Sequence, residues 1–166
     1  MLKFLAYAAG LLVLAFICIA IFFILYGRER SWLMIAGNPD RGRVDLSTVK
    51  RSPTANDALA CTADLRDDCD FTLPAFSEKP EQLAARIADQ VAAADPLARR
   101  VDDETDPGHL RFVTYSPRMR FPDLVSFQLV EMPDGQTGVM AYARAQLGQK
   151  DFGANRARLE AYLSQV

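Results

Sequence analysis

Hydrophobic positions are most concentrated at the start of the chain, where residues 4–26 contain no charged side chain and no proline. As an α-helix this run covers roughly 30–35 Å, which is enough to cross the hydrocarbon core of a bilayer. A cleaved signal peptide is the competing interpretation, but its apolar region is only about 7–15 residues long and ends at a small-residue cleavage site. Residues 21–30 offer no such site. The pattern therefore favours a retained transmembrane helix, with membrane lipid as a partner of residues 4–26.

Later in the chain the hydrophobic spacing predicts a helix over residues 78–95. Leu83, Ile87 and Val91 recur every four residues and form one apolar stripe. Segments rich in β-forming residues then predict four strands in succession, with no helix between them. These strands begin near Val101 and cover residues 110–116, 124–131 and 137–145. Strands in this order and spacing are typical of an antiparallel meander.

A last helix is predicted over residues 151–163. Asp151 is a suitable N-cap, and Phe152, Leu159 and Leu163 are the positions expected to face the sheet. The predicted fold class is therefore α+β. One N-terminal transmembrane helix is followed by a small antiparallel four-stranded sheet with helices packed on one face.

The domain organisation follows from these elements. Residues 1–27 form the membrane anchor, residues 28–55 a connector and residues 56–166 a single α+β domain. The connector contains turn-forming residues at 37–42. Apolar residues at 44, 46 and 49 indicate either a short strand or an extended segment that lies on the domain.

Charge and composition argue against some classes of function, nucleic-acid binding and catalysis among them. The chain has 19 Lys and Arg against 21 Asp and Glu, a net charge of −2, with a pI near 5.4. No basic patch suggests nucleic acid as a partner. With His109 as the single histidine, the sequence shows no arrangement of nucleophile, base and orienting group. We therefore predict no catalytic, cofactor-binding or metal-binding residues, and hence no enzyme.

Two signals conflict over which side of the membrane holds the domain. Arg28 and Arg30 follow the apolar run, and with the arginines after them they favour a cytoplasmic domain. Cys61 and Cys69 lie in a short acidic segment and are candidates for a disulfide, which requires an oxidising compartment. A calcium site is the alternative interpretation of this segment, but the alternating acids, central glycine and terminal glutamate of an EF-hand are absent.

Residues 148–160, with the sequence G-Q-K-D-F-G-A-N-R-A-R-L-E, closely resemble the C-terminal signature of the family of domains of unknown function numbered 1499, DUF1499. That signature reads approximately G-x-x-D-x-G-x-N-R-x-R-x-E. Residues 120–127 resemble its R-F-x-D-D-x-x-F segment, and residues 56–61 resemble the loop that opens the family domain. The resemblance covers residues 56–166.

The resemblance implies a bacterial envelope protein with no established activity. Family members often carry a cysteine near each end of the opening loop, which implies an oxidising compartment. We therefore predict a single-pass protein of the bacterial inner membrane with its C-terminal domain in the periplasm. Two departures from the family pattern, Leu124 and the stretch 142–146, remove polar groups from one neighbourhood and argue against a reactive site.

The polar residues of the matched segments form the candidate site. These are Asp123, Arg144, Asp151, Asn155, Arg156, Arg158 and Glu160. One interpretation is an anion site at a helix N-terminus, built from arginine and backbone N–H groups. The other is structural: Asp151 caps the helix, Asn155 ties the preceding turn, and the Arg–Glu pairs brace the fold. An acidic N-cap works against anion binding at the same terminus, so the pattern favours the structural or docking role.

Our leading hypothesis for function is a non-enzymatic domain that docks on a partner membrane protein or complex as an accessory or scaffold subunit. The alternative is a carrier or sensor of an apolar ligand in the cell envelope. That alternative predicts a cavity lined by Phe112, Phe127 and Met140.

Overall fold

The computed structural model describes residues 1–166, apart from the side chain of Leu2, and divides into two compact units, Met1–Gly37 and Asn38–Val166. In the first unit, helices α1 (Leu2–Tyr26) and α2 (Arg28–Ala36) are separated by Gly27, whose φ of 90° is rarely open to a residue with a Cβ. Lys3–Tyr26 has a mean hydropathy of 3.1 and is not buried by the rest of the chain. Helix α1 is thus long and apolar enough to span a membrane, a property that signal sequences share.

The second unit is an α+β domain built on one sheet. Its elements in chain order are β1 (Asp57–Thr62), β2 (Phe71–Leu73), α3 (Pro80–Ala94), β3 (Arg99–Arg100), β4 (His109–Tyr115), β5 (Pro122–Glu131), β6 (Thr137–Ala145) and α4 (Ala154–Leu163). The order across the sheet is β2-β1-β6-β5-β4-β3. The prediction of four strands was wrong, because the sheet has six. It is also mixed, since β1 and β2 pair in parallel while the other pairs are antiparallel.

The missed strand β1 explains most of this difference. Residues 58–61 are buried on both faces of the sheet, so small apolar residues replace the alternation that marks a half-exposed strand. Ala58 and Ala60 pack toward the helices, while Leu59 and Cys61 pack on the opposite face. The segment that resembles the family's opening loop is therefore largely a strand next to the centre of the sheet.

Helices α3 and α4 cover one face of the sheet. The apolar stripe of α3 is buried as its spacing predicts, with Leu83, Ile87 and Val91 fully removed from solvent. Helix α4 contributes Leu159 and Tyr162 to the same core. Phe152, predicted to face the sheet, does not, because it precedes α4 in a turn and is 94% exposed.

The opposite face of the sheet is covered by the segment predicted as connector. Leu46 is buried there against Leu59, Met140 and Tyr142, and its backbone N–H donates to Gln128 Oε1 across 2.6 Å. The compact domain accordingly begins at Asn38. The segment contains a turn at residues 46–48 and forms no strand of the sheet.

The two ends of the sheet carry different connections. At one end, named the loop end, lie residues 116–121 between β4 and β5 and residues 146–153 between β6 and α4; Tyr115 pairs there with Pro122. At the other end, named the hairpin end, lie residues 101–108 before β4 and the β5–β6 turn at 132–136. The candidate site belongs to the loop end.

Candidate functional site

Asp123 and Arg158 form the centre of the candidate site. Asp123 is the second residue of β5, and its carboxylate Oδ2 lies 2.8 Å from Arg158 Nη2 on α4. The two side chains are only 10% and 13% exposed. Arg158 Nη1 also donates to Asn155 Oδ1, one turn earlier on the helix. The guanidinium is therefore engaged by groups of the same domain.

Asn155 joins α4 to the start of β1. Its side chain is fully buried, and Nδ2 donates to the backbone carbonyl of Asn56 across 3.0 Å. Asn56 Nδ2 in turn donates to the carbonyl of Gly148 across 2.7 Å, in the loop that leads to α4. A buried amide in this position gives up its bonds to water only because these carbonyls replace them. The result is a fixed turn between β6 and α4.

Asp151 stabilises the same turn. Helix α4 begins at Ala154, with Gly153 in the N-cap position, so the predicted N-cap position of Asp151 was wrong by two residues. The physical role is nevertheless a capping one, since the carboxylate accepts hydrogen bonds from the N–H groups of Gly153 and Asn155, both at 3.0 Å. Phe152 and Gly153 both have positive φ, which brings the two N–H groups back to Asp151.

Asp95, at the C-terminal end of α3, belongs to the site and was not identified from the sequence. Its Oδ2 accepts hydrogen bonds from Thr114 Oγ1 at 2.5 Å and Tyr162 OH at 2.6 Å. Burial would raise the pKa of Asp95, but these hydrogen bonds and the charge of Arg158 hold it below its ordinary value. In the sequence, Asp95 appeared only as the last residue of the helix predicted over residues 78–95.

The acidic neighbours determine the electrostatics around Arg158. Burial raises the pKa of Asp123 above its ordinary value; Arg158 opposes this rise, while the charges of Asp151 and Asp95 add to it. An incoming anion would therefore meet an arginine already paired and a field made negative by nearby carboxylates. The arrangement supports the structural interpretation of Asp123, Arg158, Asn155 and Asp151 over anion binding.

The remaining candidate residues lie elsewhere. Arg156 Nε forms an ion pair with Glu160 across 2.9 Å, and both side chains are half exposed. The Arg156 guanidinium also lies over the ring of Phe71, 5.3 Å from its centroid. Arg144 is exposed on the opposite face of the sheet, where it pairs in register with Asp57. The seven candidate residues thus do not form one site.

The model of a family described as a protein of unknown function (DUF1499) matches residues 45–166. The chain belongs to this family. The match begins inside the segment that covers the second face of the sheet, and it includes every strand and both helices of the domain. Neither a comparison with curated proteins nor one with solved structures gives a match.

A second polar network holds the covering segment of the DUF1499 domain. Arg51 bonds both oxygens of Asp57, at 3.0 and 3.1 Å, and Oδ2 of Asp70 at 2.8 Å. Tyr142 OH donates to Asp57 across 2.8 Å. Although burial opposes it, these donors hold the pKa of Asp57 below its ordinary value. Sequence reasoning missed this network because Arg51 lies in a loop-like stretch with no pattern that pairs it with Asp57.

A disulfide lies beside this network. Cys61 of β1 is bonded to Cys69, with Cα atoms 5.9 Å apart, and the bond closes the loop between β1 and β2. Arg66 in that loop donates to the carbonyls of Leu46 and Val49, at 2.6 and 2.8 Å. The loop thereby fixes the covering segment against the sheet.

The three residues predicted to line an apolar cavity do not share one face of the DUF1499 sheet. Phe112 and Phe127 pack against each other on the helix face, with ring centroids 6.1 Å apart. Met140 packs on the opposite face, with Leu46 and Tyr142. These three side chains therefore do not line one cavity, because the sheet lies between them. Among the residues that the structure describes, no group of three or more His, Cys, Asp or Glu is placed to hold a metal ion.

Proposed function

We propose that this chain is a single-span membrane protein whose DUF1499 domain docks on a partner membrane protein or complex as an accessory or scaffold subunit. The observation that carries the proposal is helix α1, because its apolar side chains are left uncovered by the rest of the chain. Burial in lipid removes this surface from water. Anchoring confines the domain to the membrane plane and raises its concentration near membrane partners, so a modest docking surface suffices.

The polar network of the candidate site supports a docking role rather than a catalytic one. Asp123, Arg158, Asn155 and Asp151 satisfy one another or nearby backbone groups. A buried polar network of this kind gives a domain rigidity and one defined structure. A rigid domain binds a partner without the entropic cost of ordering its surface.

The disulfide supports the periplasmic side of a bacterial inner membrane. Structural disulfides persist in oxidising compartments and are rare in the cytosol. The bond between Cys61 and Cys69 lies under the covering segment, where it contributes to the fold. Thiol trapping with an alkylating reagent in intact cells tests this location: we expect both cysteines to resist labelling until a reductant is added.

The docking proposal is tested by purifying the tagged full-length chain from its native membrane in a mild detergent and quantifying co-purifying proteins by mass spectrometry. A matched variant carries an unrelated single span in place of residues 4–26. We expect one stoichiometric membrane partner with both chains, because the domain supplies the contact. A partner lost with the exchanged span would assign the contact to α1, and no stoichiometric partner with either chain would overturn the proposal.

A further inference from the structure

The covering segment, residues 38–56, buries little apolar surface of its own. Among its residues, all of which the structure describes, Leu46 is the one fully buried hydrophobic side chain, while Val44 and Val49 are half-buried beside it. Beneath Leu46 lie Leu59 and Met140, on the second face of the sheet. Segments with few buried apolar contacts open locally at a lower free-energy cost than core strands and helices. Polar contacts therefore decide whether this segment stays on the sheet.

Two arginines join the covering segment to the disulfide loop, residues 62–69. Arg66 of the loop donates to the carbonyls of Leu46 and Val49, at 2.6 and 2.8 Å. Arg51 of the segment donates in the other direction, from Nη1 to the carbonyl of Asp68 across 3.0 Å. These hydrogen bonds form only when the loop backbone holds Arg66 and Asp68 in place. The conformation of the disulfide loop therefore controls the middle of the covering segment.

The disulfide fixes that conformation. Cys61 is held in β1, where its neighbours on both sides are the paired strands β2 and β6. Cys69 lies in the loop, directly after Asp68, and its Sγ is 3.6 Å from the carbonyl oxygen of Arg66. Two thiols need more room than two bonded sulfur atoms, so reduction displaces Cys69 rather than Cys61. The displaced residue is the neighbour of those that hold the covering segment.

The ends of the covering segment have contacts outside the disulfide loop. Near its start, Asp40 pairs with Arg111 of β4 across 3.3 Å. Near its end, Arg51 Nε pairs with Asp57 of β1 across 3.0 Å. Reduction leaves both pairs in place. The part that it frees is the middle, residues 44–49.

We propose that the bond between Cys61 and Cys69 is a redox switch for the covering segment. While the bond is closed, the disulfide loop holds residues 44–49 on the sheet. Reduction frees the loop, releases these residues and exposes the apolar surface of Leu59 and Met140. The switch is independent of the proposed docking role, because it requires neither a partner nor the membrane.

The reductant is a dithiol, such as the Cys-x-x-Cys pair of a thiol–disulfide oxidoreductase. Cys69 is the sulfur that it reaches first, because Cys69 is partly exposed whereas Cys61 is 2% exposed. One thiolate of the dithiol attacks Cys69 Sγ and displaces Cys61 as a thiolate, which takes a proton from water. The second thiolate breaks the mixed disulfide and releases Cys69, which is protonated in the same way. Two electrons pass to the cysteine pair, and the reductant leaves as a disulfide.

Hydrogen–deuterium exchange of the full-length chain in mild detergent tests the switch, with mass spectrometry of peptides before and after reduction. Dithiothreitol, a small dithiol, is the reductant. One peptide contains residues 44–49, and a second covers α3, which reports opening of the whole domain. We expect reduction to raise the exchange rate at residues 44–49 by a factor about tenfold or more above the factor at α3, because two hydrogen bonds from Arg66 are lost.

Two results would overturn the switch. An exchange rate at residues 44–49 that reduction does not change would show that the disulfide loop does not control them. Equal factors at residues 44–49 and at α3 would show that the bond stabilises the domain as a whole without controlling one segment. Neither comparison needs a variant, so both can be made on the native chain.

Matched arginine variants test the route from the loop to the segment. R66M removes the contacts to Leu46 and Val49 but keeps the disulfide, so it should raise exchange at residues 44–49 in the oxidised chain. R43M is the control, because Arg43 lies in the same segment but pairs with Asp106, far along the chain from the disulfide loop. R43M should exchange slowly when oxidised and keep the full response to reduction. Slow exchange in oxidised R66M, or a lost response in R43M, would overturn control through Arg66.

Discussion

Arg158 on α4 and Asp123 on β5 form an ion pair, 2.8 Å across, from which solvent is nearly excluded. The pair joins helix and sheet at the loop end. Two residues earlier on the same helix, Arg156 pairs with Glu160 across 2.9 Å in a half-exposed position. The helix thus carries a buried and an exposed ion pair of the same chemistry, and comparison of the two isolates the effect of burial.

R158M is expected to lower the free energy of unfolding at pH 7 by about 3–5 kcal/mol, because it leaves the buried carboxylate of Asp123 without a partner. R156M removes an exposed pair and is expected to cost about 1 kcal/mol or less. Urea unfolding of the full chain in mild detergent measures both. Equal losses for the two variants would contradict the structural role of the Asp123–Arg158 pair.

The penalty of R158M is expected to depend on pH. Burial raises the pKa of Asp123 even beside Arg158, and without Arg158 the pKa rises further. A carboxyl with a raised folded-state pKa contributes stability at low pH that is lost as the pH rises through that pKa. R158M is therefore expected to recover part of its lost stability as the pH falls from 7 to 4.5. R158M/D123N, which has no ionisable group at 123, should not show this recovery.

Removing a hydrogen-bond donor to Asp95 is expected to give a destabilisation with the opposite dependence on pH. Y162F removes the donor 2.6 Å from the Asp95 carboxylate and is expected to cost about 1.5–3 kcal/mol at pH 7, the range for hydrogen bonds to charged groups. The pKa of Asp95 is depressed, so its contribution is present above the ordinary carboxyl pKa and is lost as the pH falls through the depressed one. The destabilisation by Y162F should accordingly shrink in acid. T114V, which removes the second donor to Asp95, should behave in the same way. A loss of unfolding free energy that stays constant with pH would show that the Asp95 carboxylate is not involved.

Elements with a regular pattern were predictable from the sequence. Strand β6 lies at residues 137–145, as the alternation predicts, and α3 lies within the predicted range 78–95. Strand β1 was missed because Ala58 and Ala60, which are poor β-formers, lie on one face of a strand buried on both. Strand β2 has three residues, and its parallel pairing with β1 depends on a contact that no local pattern encodes.

The candidate site was predictable only where its residues follow one another in the chain. Asp151 lies just before α4, and Asn155 and Arg158 are one turn apart on it, so their proximity follows from sequence spacing. Arg144 was misplaced because one position along a strand reverses the face, and Asp123 pairs in register with Ala145 instead. Asp95 comes from an element distant in sequence and meets Tyr162 only through the packing of α3 against α4.

The disulfide is expected to stabilise the domain. It links cysteines eight residues apart, and closure of a loop this short corresponds to about 2–3 kcal/mol. A reductant should therefore lower the urea midpoint of the native chain and leave that of C61S/C69S unchanged. C18S serves as the control, because Cys18 is a free cysteine in α1 and its loss should not alter the response. If reductant leaves the urea midpoint of the native chain unchanged, the disulfide does not stabilise the domain.

Phe152 is expected to lower the free energy of unfolding, because its unfavourable backbone conformation is not offset by burial of its side chain. Its φ of 54° is unfavourable for a side chain other than glycine, asparagine or aspartate, and 94% of the residue is exposed. Both F152A and F152N remove the ring, but asparagine tolerates the left-handed conformation, so F152N should be more stable than F152A by about 0.5–1 kcal/mol. Met119 is exposed too and has no positive φ, so M119N should show no such advantage over M119A. An advantage at 152 alone, measured by urea unfolding, would show that the backbone strain is real. The exposed ring at this position is then not explained by the fold of the domain. Equal stability of F152N and F152A would contradict backbone strain at Phe152.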